Sequence, residues 1–330
     1  MEIPPGKGNS FGASVTRNGR IITIGLSPAW DISCRGRDLD WGRHAEIDEQ
    51  VGRPAGKALN VSYALAWMGG TSSAAGLWGR EDHDQMRRAV ERQGGQIDVQ
   101  MTAAEGRTRQ NITVVDTSRH REMHLRQKSE LASESSLRQL NADLKKLVRE
   151  GDVCVFAGAM AAGELLEPTV DLVRTCHRAG ARIVTDTYGP ALRSIVEAGL
   201  PWLISPNVEE LRGLLGAAVE DTPQKLAEAG RTLLNRMDMI LISRGEQGAL
   251  VVAKAGVWTG HSLTQGRVLS TVGCGDYLLA GFLAGFCETG DPSAALAKGL
   301  KVATARAWGW TESESWTRAD KEIAVAVARL

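Results

Sequence analysis

The chain has 330 residues, more than one hydrophobic core usually organises, which favours one large α/β domain with an appendage or two modest domains. Its 39 basic residues balance its 39 acidic residues, and this zero net charge removes the broad attraction that nucleic acid or an anionic membrane needs. The sequence has no apolar run long enough for a membrane span and no CxxC pair among its five cysteines. We therefore expect a cytoplasmic protein with free thiols and with neither a nucleic-acid nor a membrane partner.

The first half of the chain opens as an α/β pattern. Residues 1–20 are rich in Gly, Pro, Ser and Asn, and we expect a flexible N-terminus there. The apolar, β-branched run 21–26 predicts a buried strand. Apolar residues at helical spacing follow over 56–70, and a charged amphipathic helix is predicted from an Asp82 cap to the glycines 94–95.

A separate group of strands is predicted from more polar segments. Residues 112–115 form a strand candidate, and the stretches 43–51 and 122–127 look like short strands. The last two are too polar for the centre of a parallel sheet. They predict a small exposed β layer that could form a lid.

The second half of the chain is more regular. Strand candidates alternate with helical segments, at 153–157, 183–185, 203–204, 240–243, 249–252 and 268–271. This alternation predicts βαβ units, a mainly parallel sheet, and ligands at the carboxyl ends of its strands. Apolar helices are predicted at 277–287 and 292–308.

The turn after the last strand candidate has the strongest chemical signal. Gly273-Cys274-Gly275-Asp276 places free backbone N–H groups and the positive end of a helix dipole around one point, which suits an anion. The glycines let a phosphate approach the backbone, whereas Asp276 adds a carboxylate that phosphate binding alone does not need. A general base explains that carboxylate, and an Asp that caps a glycine turn is the structural alternative.

This turn resembles the signature of the ribokinase-like (PfkB) carbohydrate kinases, a Thr-x-Gly-Ala-Gly-Asp turn that opens a helix, here residues 271–276. The resemblance extends from about residue 21 to residue 305. It implies an α/β fold: a three-layer sandwich with a mainly parallel central sheet, helices on both faces and a small β-sheet lid. It also implies a kinase domain over 21–330, with lid strands from about 32–52 and 108–127.

Further motifs resemble the sugar-binding segments of this family. The Asn-Pro-x-x-Asp motif appears as residues 27–31, and the Gly-rich segment that ends in a sugar-binding Asn appears as 55–60. The lysine inside that segment and the Thr-Arg-x-Asn of 108–111 are similar to the 1-phosphofructokinase and tagatose-6-phosphate kinase branch, whose Arg holds the substrate phosphate. The resemblance implies six substrate-binding residues: Asp31, Gly56, Lys57, Asn60, Arg109 and Asn111.

The nucleotide side shows two more motifs. Residues 206–210 resemble a Pro-Asn-x-x-Glu motif that tunes magnesium binding, and residues 243–248 resemble a Ser-x-Gly-x-x-Gly turn beside the adenine nucleotide. The resemblance implies ATP binding at Asn207, Ser243, Gly245, Gly248 and Thr271, an indirect Mg²⁺ role for Glu210, and a catalytic group of Gly273, Cys274, Gly275 and Asp276.

Each motif alone has a plainer interpretation. Asp31 could cap a turn, Asn207 could cap a helix, and Arg109 could be a surface arginine. The functional interpretation is favoured because five motifs occur in the expected order, each at a predicted strand end or helix start.

Departures from the family pattern bear on the substrate. Ala159 stands where a serine hydroxyl is expected to help bind substrate phosphate, so the phosphate pocket depends on Arg109, Lys57 and Arg43. Ser205 replaces the Lys usual before Pro-Asn, and Tyr277 replaces a small residue after the base. Cys274 replaces Ala, and we expect it to be a packing residue.

The sequence therefore predicts an ATP- and Mg²⁺-dependent kinase of a phosphohexose, first fructose 1-phosphate, then fructose 6-phosphate or tagatose 6-phosphate. A kinase of an unphosphorylated sugar or a nucleoside is the second hypothesis, which the missing serine favours. A non-catalytic sensor of nucleotide or sugar is the third, and the presence of Asp276 opposes it. The resemblance also implies a homodimer formed through the lid.

Overall fold

The computed structural model describes residues 19–93 and 96–330. The expected flexible N-terminus, apart from its last two residues, and the helix stop expected at 94–95 lie outside the described residues. No helix within the described residues is both long enough and apolar enough to span a membrane.

The described residues form fourteen β-strands. In chain order they are β1 (Ile21–Gly25), β2 (Ala29–Gly36), β3 (Ile47–Ala55), β4 (Ser72–Gly79), β5 (Ile97–Ala104), β6 (Gln110–Asp116), β7 (Arg121–Arg126), β8 (Val153–Ala157), β9 (Arg182–Asp186), β10 (Leu203–Ile204), β11 (Met239–Ser243), β12 (Ala249–Ala253), β13 (Gly256–Ser262) and β14 (Val325–Arg329).

Eleven α-helices accompany these strands in the same part of the chain. They are α1 (Lys57–Trp67), α2 (His83–Glu91), α3 (Glu134–Leu147), α4 (Leu166–Arg178), α5 (Gly189–Glu197), α6 (Val208–Leu215), α7 (Pro223–Arg231), α8 (Cys274–Thr289), α9 (Pro292–Ala307), α10 (Trp310–Ser313) and α11 (Trp316–Glu322).

Ten strands form one large sheet in the order β14-β13-β12-β11-β10-β9-β8-β1-β4-β5. The strands from β11 to β5 are parallel to their neighbours, and β12, β13 and β14 add an antiparallel edge. The predicted mainly parallel α/β sheet is confirmed. Its carboxyl ends gather the loops that carry most of the predicted motifs, as expected for parallel strands.

Helices cover both faces of the large sheet, which explains the unbroken apolar runs of its central strands. Ile21 and Val155 pack with α1, α8 and α9 on one face. Ile22 and Phe156 pack with α3 and α4 on the other face. Successive residues of one strand point to opposite faces, so a fully buried strand needs apolar residues at every position. The predicted three-layer arrangement is therefore confirmed.

The other four strands form a small sheet in the order β3-β2-β6-β7, so the predicted second sheet is present. β2 pairs antiparallel with β3 and parallel with β6. The small sheet leaves several large apolar side chains exposed, among them Ile47, Val51 and Leu125.

One predicted strand, 268–271, is wrong. This segment lies outside both sheets, and Val268 and Leu269 are exposed. The backbone N–H groups of Leu269 and Ser270 donate to the Ala307 carbonyl at the end of α9. The C-terminal strand β14 occupies the edge position next to β13, so the segment has no strand to pair with.

Candidate active site

Four polar side chains meet where α1, α8 and the end of β9 approach one another. We call Lys57, Asn60, Asp186 and Asp276 the Asp276 cluster. Lys57 and Asn60 lie three residues apart on α1, so they share one face of that helix. Asp186 is the last residue of β9, and Asp276 lies in the first turn of α8.

Short contacts join these four residues. The Asn60 Nδ2 group donates to Asp276 Oδ2 at 2.7 Å, and the Lys57 Nζ ammonium donates to Asp186 Oδ1 at 2.9 Å. Both carboxyl groups belong to residues that are only 4% exposed. The sequence motifs of Lys57, Asn60 and Asp276 are thus brought together.

Burial and proximity perturb the ionisation of this cluster. Burial, together with the neighbouring Asp186 carboxylate, raises the pKa of Asp276 to about 8, although Asn60 and Lys57 oppose the shift. Burial alone would lower the pKa of Lys57, but the Asp186 carboxylate more than offsets this effect and raises it. A carboxyl group that titrates near neutral pH is suited to proton transfer.

The sequence analysis did not name Asp186. Its only signal is its position directly after the predicted strand 183–185, where a parallel sheet presents ligand-binding groups. A carboxylate in that position is more often a helix or turn cap than part of a catalytic site. Here Asp186 forms an ion pair with Lys57, which places it within the Asp276 cluster.

The anion-binding turn leads directly into α8. The helix begins at Cys274, three residues before its predicted start, and Gly273 precedes it with a φ of 81°. A β-carbon at Gly273 would be strained at this φ and would lie 3.6 Å from Asn60 Nδ2 and 3.8 Å from Asp276 Oδ2. Glycine therefore keeps the backbone close to the cluster, and no side chain caps the first N–H groups of α8.

Two of the departures lie in this region. Burial raises the pKa of the Cys274 thiol, so the thiol is neutral, as expected for a packing residue. Tyr277 packs its ring under the Arg306 guanidinium, 5.2 Å from the ring centre. Arg306 also donates to the Val272 carbonyl at 3.2 Å, so it holds the turn that precedes α8.

The small sheet carries the predicted sugar-binding pair Asp31 and Asn111. Asn111 Nδ2 donates to Asp31 Oδ1 at 2.9 Å across neighbouring strands. Register places Arg53 opposite Asp31 on the other side, and Arg126 opposite Asn111. The sequence analysis missed both arginines, because strand register across a sheet cannot be read from one segment.

Arg109 joins the loop after β1 to the small sheet. Its guanidinium donates to the carbonyl oxygens of Pro28 at 3.1 Å, Gln127 at 3.1 Å and Ser27 at 3.2 Å. A guanidinium group has more N–H donors than these contacts use, so Arg109 keeps donors for an anion.

Arg43, His44 and Glu46 lie at the opposite end of the small sheet from Asp31. Ile47 pairs with Gly36 at that end, whereas Arg53 pairs with Asp31. The two ends are about 20 Å apart along β3. Within one chain, Arg43 therefore does not join Arg109 and Lys57 as expected.

The predicted nucleotide motifs lie at the carboxyl ends of β10 and β11. Asn207 forms an isolated parallel bridge with Ser243, which brings the two motifs together. Asn207 and Glu210 form a capping box at the start of α6, and Glu210 adds negative potential at Lys57. Gly245 opens a short 3-10 turn that ends at Gly248, and Thr271 accepts a backbone hydrogen bond from Cys274.

A metal ion has few protein ligands to use in this region. Among the described residues, no group of three or more His, Cys, Asp or Glu side chains could hold one. Mg²⁺ commonly keeps several waters and is bound by one or two carboxylates together with substrate phosphates. Asp186 and Glu210 are two carboxylates of this region, and the charges of both act on Lys57.

Comparisons with known proteins identify chains that are similar to this one. A profile of the pfkB family carbohydrate kinases matches residues 28–307. The 1-phosphofructokinase of Haemophilus influenzae is 26% identical over 269 residues, which cover 81% of this chain and 84% of that protein. The 1-phosphofructokinase of Vibrio cholerae is 27% identical over 272 residues, which cover 82% and 83%.

Solved structures show the same fold. Escherichia coli phosphofructokinase-2 in complex with fructose 6-phosphate is similar with a TM-score of 0.82 and 22% identity, covering 92% of this chain and 98% of that one. A possible 1-phosphofructokinase from Thermotoga maritima has a TM-score of 0.78 and 22% identity, covering 94% and 99%.

The raised pKa of Asp276 makes a prediction for Asp186→Asn. This change removes a neighbouring negative charge and releases the Lys57 ammonium from its ion pair, and both effects lower the pKa of Asp276. We expect the acid-side limb of the pH profile of kcat/KM to move to lower pH, because this limb reports ionisation of the base in the free enzyme. An Asp320→Asn variant, changed at an exposed carboxylate, is the control. An acid-side limb that does not move in Asp186→Asn would show that Asp186 does not influence the ionisation of Asp276.

Proposed function

Because the chain belongs to the pfkB family and is a carbohydrate kinase, a phosphotransferase, we propose that it is a cytoplasmic enzyme that transfers the γ-phosphoryl group of MgATP to a hydroxyl group of a phosphohexose. Fructose 1-phosphate is the first substrate to test, followed by fructose 6-phosphate and tagatose 6-phosphate. The observation that carries the proposal is the buried Asp276, bonded to Asn60 at the uncapped start of α8.

In this proposal Asp276 accepts the proton of the attacking sugar hydroxyl. The Asn60 amide donates to Asp276 Oδ2 and thereby orients the carboxyl group. The N–H groups at Gly273 and Gly275 stabilise the negative charge of the transferred group, while the Cys274 N–H donates to the Thr271 carbonyl within the turn. Lys57 adds a positive charge beside the two carboxyl groups.

ATP binds along the carboxyl ends of β10 and β11, with Asn207, Ser243, Gly245, Gly248 and Thr271 as its predicted contacts. Asp186 and Glu210 are the carboxylates that would hold the Mg²⁺ of MgATP, in part through water. When it is bound, Mg²⁺ neutralises charge on the phosphates.

The phosphate already on the sugar is assigned to Arg109. Its guanidinium keeps donors beyond the three carbonyl contacts, and Arg53 and Arg126 flank the Asp31–Asn111 pair with positive charge. The 1-phosphofructokinases among the relatives support a phosphorylated substrate.

A kinase of an unphosphorylated sugar or a nucleoside is the second candidate. Two observations favour it: Ala159 offers no hydroxyl group, and Arg109 already holds three carbonyl oxygens. An ADP-release assay over ketose phosphates, free sugars and nucleosides distinguishes the two candidates.

We also propose a homodimer through the small sheet. The exposed Ile47, Val51 and Leu125, together with Trp41, would become buried in such a contact. Sedimentation analysis of the full chain, with Val51→Lys as the disrupting variant, tests this proposal.

The first test of the mechanism is Asp276→Asn. The amide keeps the shape of the carboxylate but cannot accept the hydroxyl proton, so we expect kcat to fall by about 10² to 10⁴-fold. KM for ATP should change little. A kcat near that of the wild type would show that Asp276 does not accept the proton. Asp320→Asn is the surface control.

The second test is Glu210→Gln, which removes a charge but keeps an oxygen that can accept the Asn207 N–H of the capping box. We expect turnover to require a higher magnesium concentration, because the negative potential at the nucleotide is weaker. Thermal stability should be nearly unchanged. An identical magnesium titration would leave Glu210 with a capping role only.

The third test decides between the two substrate classes. Arg109→Ala removes a charge-assisted donor from the sugar phosphate, a loss of roughly 2 to 5 kcal/mol by analogy with buried charge pairs. We expect this loss as a raised KM for the sugar phosphate with KM for ATP little changed. The control is Arg107→Ala, at an exposed arginine two residues away. An unchanged sugar KM in folded Arg109→Ala would favour the second candidate.

A further inference from the structure

A buried carboxylate outside the Asp276 cluster joins two of the predicted sugar-binding segments. Asp82 is 2% exposed, and it accepts hydrogen bonds from Trp30 Nε1 at 2.7 Å, from the Thr108 N–H at 3.0 Å and from Thr108 Oγ1 at 3.1 Å. The sequence predicts Asp82 as the cap of α2, but its side chain makes no capping bond there. Its carboxylate accepts hydrogen bonds from Trp30 and Thr108 instead.

Asp82 depends on these hydrogen bonds because its carboxylate is buried. Within residues 19–93 and 96–330, no basic side chain forms an ion pair with Asp82. A buried carboxylate without a cation depends on hydrogen-bond donors to replace its lost hydration. A shift of either Trp30 or Thr108 would leave the carboxylate underbonded, so Asp82 fixes both donors in place.

The two donors stand next to predicted substrate ligands. Trp30 precedes Asp31, and Thr108 precedes Arg109. The backbone N–H of Trp30 also donates to the Arg109 carbonyl at 2.8 Å, so the two segments lie side by side. Asp82 therefore holds the residue that precedes each predicted ligand, Trp30 through its indole and Thr108 through its backbone N–H and its hydroxyl group.

The end of β4 completes this arrangement. Thr108 Oγ1 accepts the Gly79 N–H at 2.9 Å, and a β-carbon at Gly79 would lie 2.4 Å from the Thr108 nitrogen. Only glycine lets the 107–108 backbone lie this close to the large sheet. Asp82, Thr108 and Gly79 thus fasten the sugar-binding segments to the rigid sheet.

We propose that Asp82 is a positioning residue that fixes Asp31 and Arg109 relative to each other and thereby sets the affinity for the sugar. The inference rests on the proposed function in one respect, the assignment of Asp31 and Arg109 to the sugar. Asp82 itself touches no substrate in this proposal.

The test begins with Asp82→Asn. The amide oxygen can serve Thr108, which offers two donors to one carboxylate oxygen, and the amide nitrogen then faces the Trp30 indole N–H. Two donors in contact repel each other and displace Trp30. We expect kcat/KM for the sugar to fall by about 10 to 100-fold through KM, a loss of the size that small misplacements produce. KM for ATP should stay within twofold, about the scatter of such measurements.

A second change should reverse part of this effect. Trp30→Phe removes the indole N–H but keeps an aromatic ring in the core. We expect the double variant Asp82→Asn, Trp30→Phe to have a lower sugar KM than Asp82→Asn alone, because the clash between donors is gone. A purely structural role predicts the opposite, since the second change adds a packing defect.

A matched control separates positioning from stability. Asp152 is also a buried carboxylate, 3% exposed, and it accepts bonds from Arg20 and Arg149 before β8, at the amino end of the sheet. We expect Asp152→Asn to lower the melting temperature while both KM values stay unchanged. Asp82→Asn with a similar loss of melting temperature and an unchanged sugar KM would overturn the proposal.

Two single variants cover the case in which Asp82→Asn fails to fold. Trp30→Phe and Thr108→Val each remove one donor to Asp82, and Thr108→Val also removes the acceptor of the Gly79 N–H. Each should raise the sugar KM several-fold without raising KM for ATP. Unchanged sugar KM in both would overturn the proposal. All variants are assayed with the sugar that the wild type uses best. If the wild type prefers an unphosphorylated sugar, the phosphohexose assignment is overturned. The effect of the Asp82 variants on the KM for that sugar would still test the role of Asp82, because Asp82 would act on it through Asp31.

Discussion

Two carboxyl groups, Asp186 and Asp276, are buried side by side, and the rest of the site is arranged around their mutual repulsion. Asp186 lies at the end of β9, and Asp276 lies in the first turn of α8. Lys57 and Asn60 on α1 stabilise the pair, Lys57 by its positive charge and Asn60 by a hydrogen bond. A buried pair of this kind costs stability unless it is compensated, which is why such groups concentrate at functional sites. The glycine before α8 follows from the same constraint, because a side chain there would project toward Asn60 and Asp276.

The small sheet has a different requirement under the proposed function, because its proposed sugar-binding residues must lie at a fixed distance from Asp276 in α8. In addition to the apolar packing of Trp30 against α1, α2, β4 and β5, both segments are held by polar contacts. Arg109 donates to three carbonyl oxygens, and Asp82 accepts from Trp30 and Thr108. Such contacts are directional and leave little freedom to slide. The exposed apolar residues of the small sheet contribute nothing to this fastening, which is consistent with their proposed use in a dimer.

Much of the fold could be predicted, because buried parallel strands are unbroken apolar runs: the strands at 153–157 and 203–204 have the predicted bounds. β4 is equally buried, but its Ser, Ala and Gly residues have low β propensity and gave no signal. The segment 268–271 has strand-like residues but pairs with no strand. Its sequence does not show that β14 takes the edge position next to β13. In the candidate site, the family resemblance implied roles for Asn60 and Asp276, and these two residues lie in contact. Asp186, Arg53 and Asp82 could not be predicted, because their partners come from distant segments that only the folded chain brings together.

The zero net charge of the chain also has a structural consequence. Under the proposed function, a kinase of a phosphohexose must bind two anionic substrates without the long-range attraction that a basic protein provides. Its positive charge is instead local, from the start of α8, Lys57, Arg109 and the two arginines beside Asp31. Burial raises the pKa of Asp276 to about 8, so in the free protein this carboxyl group carries less than a full negative charge near neutral pH. Under the proposed function, the environment that makes Asp276 a stronger base also weakens its repulsion of an incoming phosphate, so one buried position would serve both binding and proton transfer.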